Sequence, residues 1–173
     1  MRLLRNKRRI IKIGKVVNRQ ELRVILDDLR SKGKKIVFTN GCFDLIHIGH
    51  VRYLQQARDC GDYLVVGVNN DNSIREIKGE KRPFLRENER TRILASFECV
   101  DYVIVFSELD SRNIISFVRP DILVKGGDYG VDGIVGREIV WEYGGEVKNL
   151  GVVKGLSTTA VIEKILKMNK KVK

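Results

Sequence analysis

Two histidines stand three residues apart in this sequence, His47 and His50, with Gly49 between them, and they are its only histidines. Imidazoles at this spacing could both point at one anionic centre and donate hydrogen bonds to phosphate oxygens. They could also be metal ligands, but no third histidine and no nearby pair of cysteines or carboxylates completes a zinc site. The spacing therefore favours phosphate binding.

The position of the histidines supports the same chemistry. They follow an apolar, β-branched run at residues 36–39 and precede an apolar-periodic segment that begins at Val51. This pattern predicts a loop between a first strand and a helix that starts near His50. At such a junction, free backbone N–H groups and the positive end of the helix dipole favour polyphosphates. Gly41 and Gly49 would let the backbone approach the ligand closely.

Strand and helix patterns alternate along the rest of the chain. Strands are predicted at residues 36–39, 63–68, 102–106, 121–124 and 146–150. Helices are predicted at residues 50–60, 72–77, 87–100, 111–118 and 136–143, with a closing helix after residue 159. The alternation implies right-handed crossovers and an α/β fold with a doubly wound, five-stranded parallel sheet.

An amphipathic helix is predicted ahead of the first strand. Asn18 is a helix-capping residue with Glu21 three places on, and leucine and isoleucine residues follow at helical spacing. This helix would pack on the domain or on a second copy of it, so a homodimer is one expected assembly. The chain accordingly divides into a basic segment with its helix at residues 1–33 and one domain at residues 34–173.

The formal charge of +11 is concentrated at the two ends of the chain. Residues 1–15 carry seven Lys or Arg and no acidic residue, and residues 163–173 carry five Lys against Glu163. The 21 basic and 21 acidic residues between them cancel. Basic tails are usually solvated, but they could contact nucleic acid or anionic lipid. A nucleotide- or nucleic-acid-binding module is therefore a rival interpretation from a different functional class.

The apolar and cysteine patterns favour a cytoplasmic protein. No apolar run approaches the roughly 20 residues that span a bilayer, and the N-terminus lacks the apolar region of a signal peptide. The three cysteines, Cys42, Cys60 and Cys99, are widely spaced and odd in number, as expected of reduced thiols.

Three further segments carry side chains suited to phosphate. The first is a basic loop with Lys78, Lys81 and Arg82, for which a solvated surface loop is the alternative interpretation. The second, Lys125-Gly126-Gly127-Asp128-Tyr129, follows a predicted strand at the edge where open parallel sheets bind ligands. The third, Ser157-Thr158-Thr159, precedes the closing helix, where hydroxyls are usually only helix caps.

The histidine loop, read with these segments, resembles a known family. Gly41-Cys42-Phe43-Asp44 followed by His47-Ile48-Gly49-His50 is similar to the signature of the HxGH nucleotidyltransferases, a superfamily that includes the cytidylyltransferases. The segments at residues 125–129 and 155–159 are similar to its Val-Lys-Gly-Gly-Asp-Tyr and Ser-Thr-Thr motifs. The resemblance covers about residue 34 to the last helix and is strongest to the adenylyltransferase (ADP-heptose synthase) domain of bacterial heptose-phosphate enzymes.

The resemblance implies a Rossmann-like fold and a role for each matching residue. It implies that His47, His50 and Lys81 are catalytic and that Lys78, Arg82 and Asn69 bind the acceptor. The nucleotide would be bound by both histidines together with Gly41, Cys42, Phe43, Asp44, Gly49, Lys125, Gly126, Gly127, Asp128, Ser157, Thr158 and Thr159. Mg²⁺ is expected with ATP, and no protein ligand set for a metal is assigned.

The implied reaction is nucleotidyl transfer, in which a sugar 1-phosphate attacks the α-phosphorus of ATP and pyrophosphate leaves. D-glycero-D-manno-heptose 1-phosphate is the expected acceptor. Cytidylyltransferases commonly carry Arg-Thr-Glu-Gly before Ser-Thr-Thr, whereas residues 153–156 read Val-Lys-Gly-Leu, which disfavours the rival glycerol-3-phosphate cytidylyltransferase. Heptose enzymes often fuse a sugar kinase domain ahead of this one, and the chain resembles the stand-alone form.

Overall fold

The structure, a computed structural model, describes residues 14–127, 130–151 and 158–169, and for Thr159, Ala160 and Asn169 it describes only the backbone. The strands are β1 Lys15–Val17, β2 Ile36–Gly41, β3 Tyr63–Asn69, β4 Tyr102–Phe106, β5 Ile122–Lys125 and β6 Glu146–Asn149. The helices are α1 Arg19–Ser31, α2 Ile48–Arg58, α3 Asp71–Lys78, α4 Glu87–Ala95, α5 Arg112–Val118, α6 Arg137–Glu142 and α7 Thr158–Asn169. A 3₁₀ turn, Val131–Gly133, precedes α6.

Within the described residues, six strands form one parallel sheet in the order β1-β4-β3-β2-β5-β6. The predicted α/β parallel sheet is therefore confirmed, but the predicted count of five strands is wrong. The additional strand is β1, an edge strand of three residues that pairs Lys15 with Tyr102 and Val17 with Ile104. Only one of its residues, Val17, is buried, so the strand leaves almost no periodic apolar signal in the sequence.

Helices cover both faces of the sheet. One apolar core contains Phe38 of the sheet and buried residues of α1, α5 and α6, such as Leu26, Ile115 and Val140. The other contains Val37 and buried residues of α2 and α4, such as Leu54. Neighbouring residues of β2 thus face opposite cores, as expected when a parallel strand is buried on both sides.

The predicted N-terminal helix is confirmed as α1. The side chain of Asn18 accepts a hydrogen bond from the Glu21 N–H at 2.9 Å, and the Glu21 carboxylate accepts one from the Asn18 N–H at 2.8 Å. The apolar stripe of the helix, with Leu22 fully buried and Leu29 5% exposed, packs into the core of this chain's own sheet. Residues 1–13 and 170–173, which carry most of the excess charge, lie outside the described residues.

The helix predicted at residues 87–100 is shorter in the structure and ends at Ala95. The following residues form tight turns, in which the N–H of Phe97 bonds to Leu94 and the N–H of Val100 bonds to Phe97. These three-residue bonds replace the helical ladder and return the chain to the sheet. None of the described helices is both long and apolar enough to cross a membrane.

The sheet order creates a crevice beside β2. From β2 the chain builds outward to β3 and β4 on one side, whereas β5 and β6 lie on the other side. The direction of winding therefore reverses between β2 and β5, and ligands of open α/β sheets bind at the carboxyl ends of strands at such a point. The histidine loop follows β2, and Lys125 ends β5, so both lie at this crevice.

Candidate active site

The two histidines are fixed by the start of α2. His47 is the N-cap residue, and its Nδ1 accepts a hydrogen bond from the Gly49 N–H at 3.2 Å. The Nδ1 of His50 accepts a longer one, 3.4 Å, from the His47 N–H. Since each Nδ1 serves as an acceptor, the proton of each neutral imidazole is assigned to Nε2. No described residue accepts a hydrogen bond from either Nε2, so both N–H groups are available as donors to a ligand.

The two imidazoles lie side by side. Their ring centroids are 4.0 Å apart, with an angle of 37° between the ring planes. Burial and, to a lesser extent, the neighbouring His47 together lower the pKa of His50 to about 4. Burial likewise lowers the pKa of His47. Both side chains are therefore neutral donors at pH 7, which avoids repulsion between two cations at this distance.

Phe43 gives the loop its shape. Its φ of 46° lies in the left-handed region, which L-residues other than glycine and asparagine seldom adopt. The side chain is buried in the α2-side core, and its ring lies 5.6 Å from the His50 ring. Such a conformation costs about 1–3 kcal/mol and persists only where packing enforces it. Burial of the Phe43 ring supplies that packing beside the histidines.

Asp44 joins the histidine loop to the basic loop. One carboxylate oxygen accepts from the backbone N–H groups of Phe84 and Leu85, at 2.8 and 3.0 Å. The other accepts from Nη1 of Arg82 at 2.6 Å. Asp44 is 6% exposed, and the guanidinium of Arg82 lies over the ring of Phe84. These contacts give Asp44 a supporting role in addition to the nucleotide contact predicted for it.

Arg90 makes a second connection between these loops, which sequence reasoning did not find. It is fully buried and donates to the carbonyls of Cys42 and Leu85, at 2.6 and 3.0 Å, and to the carboxylate of Asp71 at 2.7 Å. In the sequence, Arg90 lies at helical spacing with Ile93 and Leu94, and Glu89-Arg90 resembles a Glu-Arg pair of the HxGH nucleotidyltransferases, but neither pattern predicts these contacts. The signal in the sequence was an arginine on an otherwise apolar helix stripe, since a buried arginine needs a hydrogen-bonding or charged partner.

Lys125 reaches across from β5 to β2. Its Nζ donates to the Asn40 carbonyl at 2.9 Å. Burial, opposed in part by the sulfur of Cys42, lowers the pKa of Lys125 to about 8. Burial raises the pKa of the Cys42 thiol, which makes it a poor nucleophile. Lys125 is thus a cation at neutral pH at the end of the strand beside the histidine loop.

Gly126 is closely packed against other parts of the chain. A Cβ placed there would lie 3.1 Å from the Gly151 carbonyl oxygen and 3.3 Å from the ring of Tyr53. The Tyr53 hydroxyl in turn contacts the Thr39 hydroxyl at 2.5 Å and donates to the Val124 carbonyl at 3.0 Å. Larger residues at Gly126 would disturb this packing directly. The carbonyl of Gly127 accepts from the Asn149 side chain at 3.2 Å.

The start of α7 lies against the histidine loop. The Thr158 hydroxyl donates to the carbonyl of Leu45 at 3.4 Å. Thr159 follows in the first turn of the helix. Two further predicted nucleotide contacts, Asp128 and Ser157, lie outside the described residues.

The predicted acceptor-binding residues are spread over two neighbouring regions. Lys78 ends α3, and Lys81 is exposed in the loop that follows, without an ion pair among the described residues. Asn69 is buried at the end of β3, where its amide donates to the Ser73 hydroxyl at 3.3 Å. Arg82 is held by Asp44, as described above. The structure therefore brings Arg82 onto the histidine loop and leaves Lys81 extended into solvent, and the catalytic role of Lys81 stays a prediction.

The described residues contain no group of three His, Cys, Asp or Glu side chains that could hold a metal ion. The carboxylate of Asp44 is already occupied by Arg82 and two backbone N–H groups. Mg²⁺ commonly binds through substrate phosphates and few protein ligands, so the site fits an ion carried mainly by the nucleotide.

Comparison with known proteins gives one family and a consistent group of relatives. Residues 38–164 match the model of the family described as Cytidylyltransferase-like. The chain is 56% identical over 154 residues to the Bifunctional protein HldE of Geobacter sulfurreducens and 52% identical over 150 residues to that of Pseudomonas savastanoi pv. phaseolicola. These matches cover 89% and 87% of this chain but only 31% and 32% of the relatives. The chain thus spans about a third of their length.

Solved structures agree with the fold. The lipopolysaccharide core biosynthesis protein from Thermoplasma volcanium GSS1 is 31% identical, with a TM-score of 0.57 over 70% of this chain and 98% of that one. A pantoate-beta-alanine ligase from Francisella tularensis has the same TM-score, covers 89% of this chain and 79% of that one, and is 15% identical. The second likeness shows a shared fold.

Proposed function

This chain belongs to the cytidylyltransferase-like family, and on that premise we propose that it transfers AMP from ATP to a sugar 1-phosphate. An oxygen of the acceptor phosphate forms a bond to the α-phosphorus of ATP. The bond between that phosphorus and the β-bridging oxygen breaks, and pyrophosphate leaves with the electron pair. The products are an ADP-sugar and pyrophosphate, and no covalent enzyme intermediate is required.

The observation that carries this proposal is the fixed pair of imidazoles. The N-terminal turn of α2 engages both Nδ1 atoms, so two Nε2–H donors are held side by side before a substrate arrives. Preorganised donors of this kind stabilise charge that develops on phosphate oxygens, and they need no rearrangement during the reaction. His47 and His50 are thus assigned to the oxygens around the α-phosphorus.

The surrounding residues supply orientation and charge. Lys125 places a cation at the crevice, and Thr158 brings the start of α7 to the same loop. Asp44 and Arg90 hold the basic loop against the histidine loop, so that its cations can meet the phosphates of both substrates. Mg²⁺ bound to the nucleotide would neutralise phosphate oxygens during the transfer. Positioning and charge neutralisation are together sufficient for in-line transfer.

We assign the acceptor as D-glycero-D-manno-heptose 1-phosphate and the nucleotide as ATP. Support comes from the resemblance of the loop at residues 125–129 to the heptose branch and from the relatives named Bifunctional protein HldE. The name of the Thermoplasma neighbour, a lipopolysaccharide core biosynthesis protein, agrees with a sugar acceptor. The description of the family, Cytidylyltransferase-like, supports CTP as the nucleotide, so the second candidate is CTP with an alcohol phosphate such as glycerol 3-phosphate.

Isotope labelling tests the reaction class. With heptose 1-phosphate as acceptor, a label on the α-phosphorus of ATP should appear in the ADP-sugar, and a label on the γ-phosphorus should appear only in pyrophosphate. His50→Gln should greatly lower the amounts of both labelled products, the ADP-sugar and the pyrophosphate. Transfer of the γ-label to the sugar would instead identify a kinase, and no transfer of either label to any sugar 1-phosphate would refute the proposal.

A further inference from the structure

A recess lies beside the histidine loop, at the carboxyl edge of the sheet and on the face covered by α1 and α5. Its volume is about 210 Å³. Asn40 at the end of β2, Asn69 at the end of β3 and Ser111 at the start of α5 contribute its polar lining. Two of these residues, Asn40 and Ser111, have no role in the reaction described above.

Asn40 has an unsatisfied polar atom. Within the described residues, its side-chain Oδ1 is buried without a hydrogen-bond partner. A buried polar atom left in this state is costly, and native proteins rarely keep one without a reason. The carbonyl of the same residue accepts from Nζ of Lys125 at 2.9 Å. Asn40 therefore lines the recess and holds a cation of the nucleotide site with its backbone carbonyl, and a turn of its side-chain amide would bring the unpaired Oδ1 to the surface of the recess.

The two asparagines lie on one face of the sheet. Asn40 pairs with Gly67 in the register of β2 and β3, and Asn69 follows Gly67 by two residues. Residues two apart on a strand project to the same side, so both amides contribute to one surface. The Phe38 ring packs over Gly67 between them, where a Cβ would lie 2.8 Å from Cζ of Phe38 and 3.1 Å from the Cβ of Asn40.

The lining suits a hydroxylated carbon skeleton. An amide can both donate to and accept from a hydroxyl. None of the described lining residues is basic, which disfavours a phosphate in the recess itself, and the carboxylate of Asp110 is already paired with Arg112. At its rim, Ile77, Leu109 and Val135 are 44%, 56% and 41% exposed. Sugars combine hydroxyl groups with apolar C–H faces and so match a polar floor with an apolar rim.

We propose that Asn40 determines acceptor specificity by accepting a hydrogen bond from a hydroxyl group of the sugar. This rests on the proposed function, and it adds the residue that distinguishes a polyhydroxylated acceptor from a smaller alcohol phosphate. The acceptor's carbon skeleton occupies the recess, and its phosphate lies toward Lys125 and the histidines. The amide of Asn69 and the hydroxyl of Ser111 provide further partners for the remaining hydroxyls.

The test pairs a variant of the protein with variants of the substrate. Asn40→Leu replaces the amide by an apolar side chain of similar shape. kcat/KM is measured at saturating ATP for heptose 1-phosphate and for each monodeoxy analogue that retains the phosphate. For the unmodified protein, removal of one particular hydroxyl should lower kcat/KM roughly tenfold or more, because Asn40 is then left unpaired. In Asn40→Leu, kcat/KM for heptose 1-phosphate should fall by a similar factor. The same variant should have equal kcat/KM values for heptose 1-phosphate and for the analogue that lacks this hydroxyl.

Two controls separate specificity from folding. Asn40→Leu should keep or raise the melting temperature, because it removes an unsatisfied buried group, and its KM for ATP should be unchanged. Asn113→Ala, an exposed asparagine in α5 that does not line the recess, should behave as the unmodified protein. If Asn40→Leu discriminates among the analogues as the unmodified protein does, or loses stability and all activity together, Asn40 has no role in specificity. If the unmodified protein accepts no sugar 1-phosphate, the proposed function fails first and this inference fails with it.

Discussion

The carboxylate of Asp44, three residues before His47, accepts a hydrogen bond from Nη1 of Arg82 at 2.6 Å. The contact joins two loops that are 38 residues apart in the sequence, and Arg90 joins them again through the Cys42 carbonyl. The arrangement of the histidine loop therefore depends on the basic loop packed against it. Removal of either connection should affect catalysis by displacing the histidine loop from the basic loop.

Asp44→Asn should lower both stability and turnover. The amide can still accept from the backbone of Phe84 and Leu85, but the ion pair with Arg82 is lost in a site where Asp44 is 6% exposed. We expect a loss of about 1–3 kcal/mol in the free energy of unfolding, measured by urea denaturation. Asp62→Asn is the matched control, since Asp62 also accepts from a backbone N–H, that of Lys35, but lies away from the site. An effect at Asp44 no larger than at Asp62 would contradict this role.

Substitutions of His47 should separate its two roles. His47→Ala removes both the cap of α2 and the Nε2–H donor, whereas His47→Asn retains a good capping side chain. Both variants should lose turnover by about 10²- to 10³-fold. Only the alanine variant should also lose about 1 kcal/mol of stability, measured by thermal unfolding. Near-normal turnover in His47→Asn would mean that this histidine acts only as a helix cap.

The affinity for ATP should weaken above pH 8. Burial lowers the pKa of Lys125 from 10.5 to about 8, so the folded protein loses this proton at a lower pH than the unfolded chain does. As the pH rises through 8, the cation beside the phosphates is lost and KM for ATP should increase. Lys125→Arg keeps its charge in this range, so the increase should move to higher pH. Identical pH profiles for the two proteins would exclude Lys125 as the titrating group.

The N-terminal tail should be dispensable only up to residue 13. The Gly14 N–H bonds to the Ala95 carbonyl at 2.7 Å, and the Lys15 N–H bonds to that of Asp101 at 3.0 Å. Deletion of residues 1–13 should leave nucleotidyl transfer largely unchanged. Deletion of residues 1–17 removes β1 and exposes the edge of β4, so it should lower the melting temperature and promote aggregation. Loss of transfer in the shorter deletion, with the fold intact, would place the tail in the active site.

The sequence predicted those parts of the fold that leave local signals. Apolar runs identified four of the six strands found among the described residues, and the strand–helix alternation and the preceding Gly144-Gly145 identified β6. The capping pair of Asn18 and Glu21 identified α1. The histidine loop was recognisable because its residues are contiguous. β1 was missed because it has three residues and a single buried side chain. Such a short edge strand is recognised by its hydrogen bonds to the neighbouring strand, here β4, and these are not visible in the sequence.

The parts of the site that the sequence did not predict depend on contacts between distant segments. Arg90 meets the Cys42 carbonyl across 48 residues, and Asp44 meets Arg82 across 38. Contacts between residues so far apart in the sequence leave no periodic pattern in it, so the sequence alone does not predict them. The role inferred for Asn40 depends on the recess and on its unsatisfied amide oxygen, and neither of these is visible in the sequence. Sequence thus predicted the residues for chemistry more readily than those that position them or select the substrate.

The central claim concerns which nucleotide and which acceptor the histidines serve. The most direct measurement is pyrophosphate release, with kcat/KM determined for ATP and CTP, each with heptose 1-phosphate and with glycerol 3-phosphate. We expect ATP with heptose 1-phosphate to exceed every other combination clearly, and His50→Gln to lose that activity. A clear preference for CTP with glycerol 3-phosphate would contradict the assignment and identify an alcohol-phosphate cytidylyltransferase.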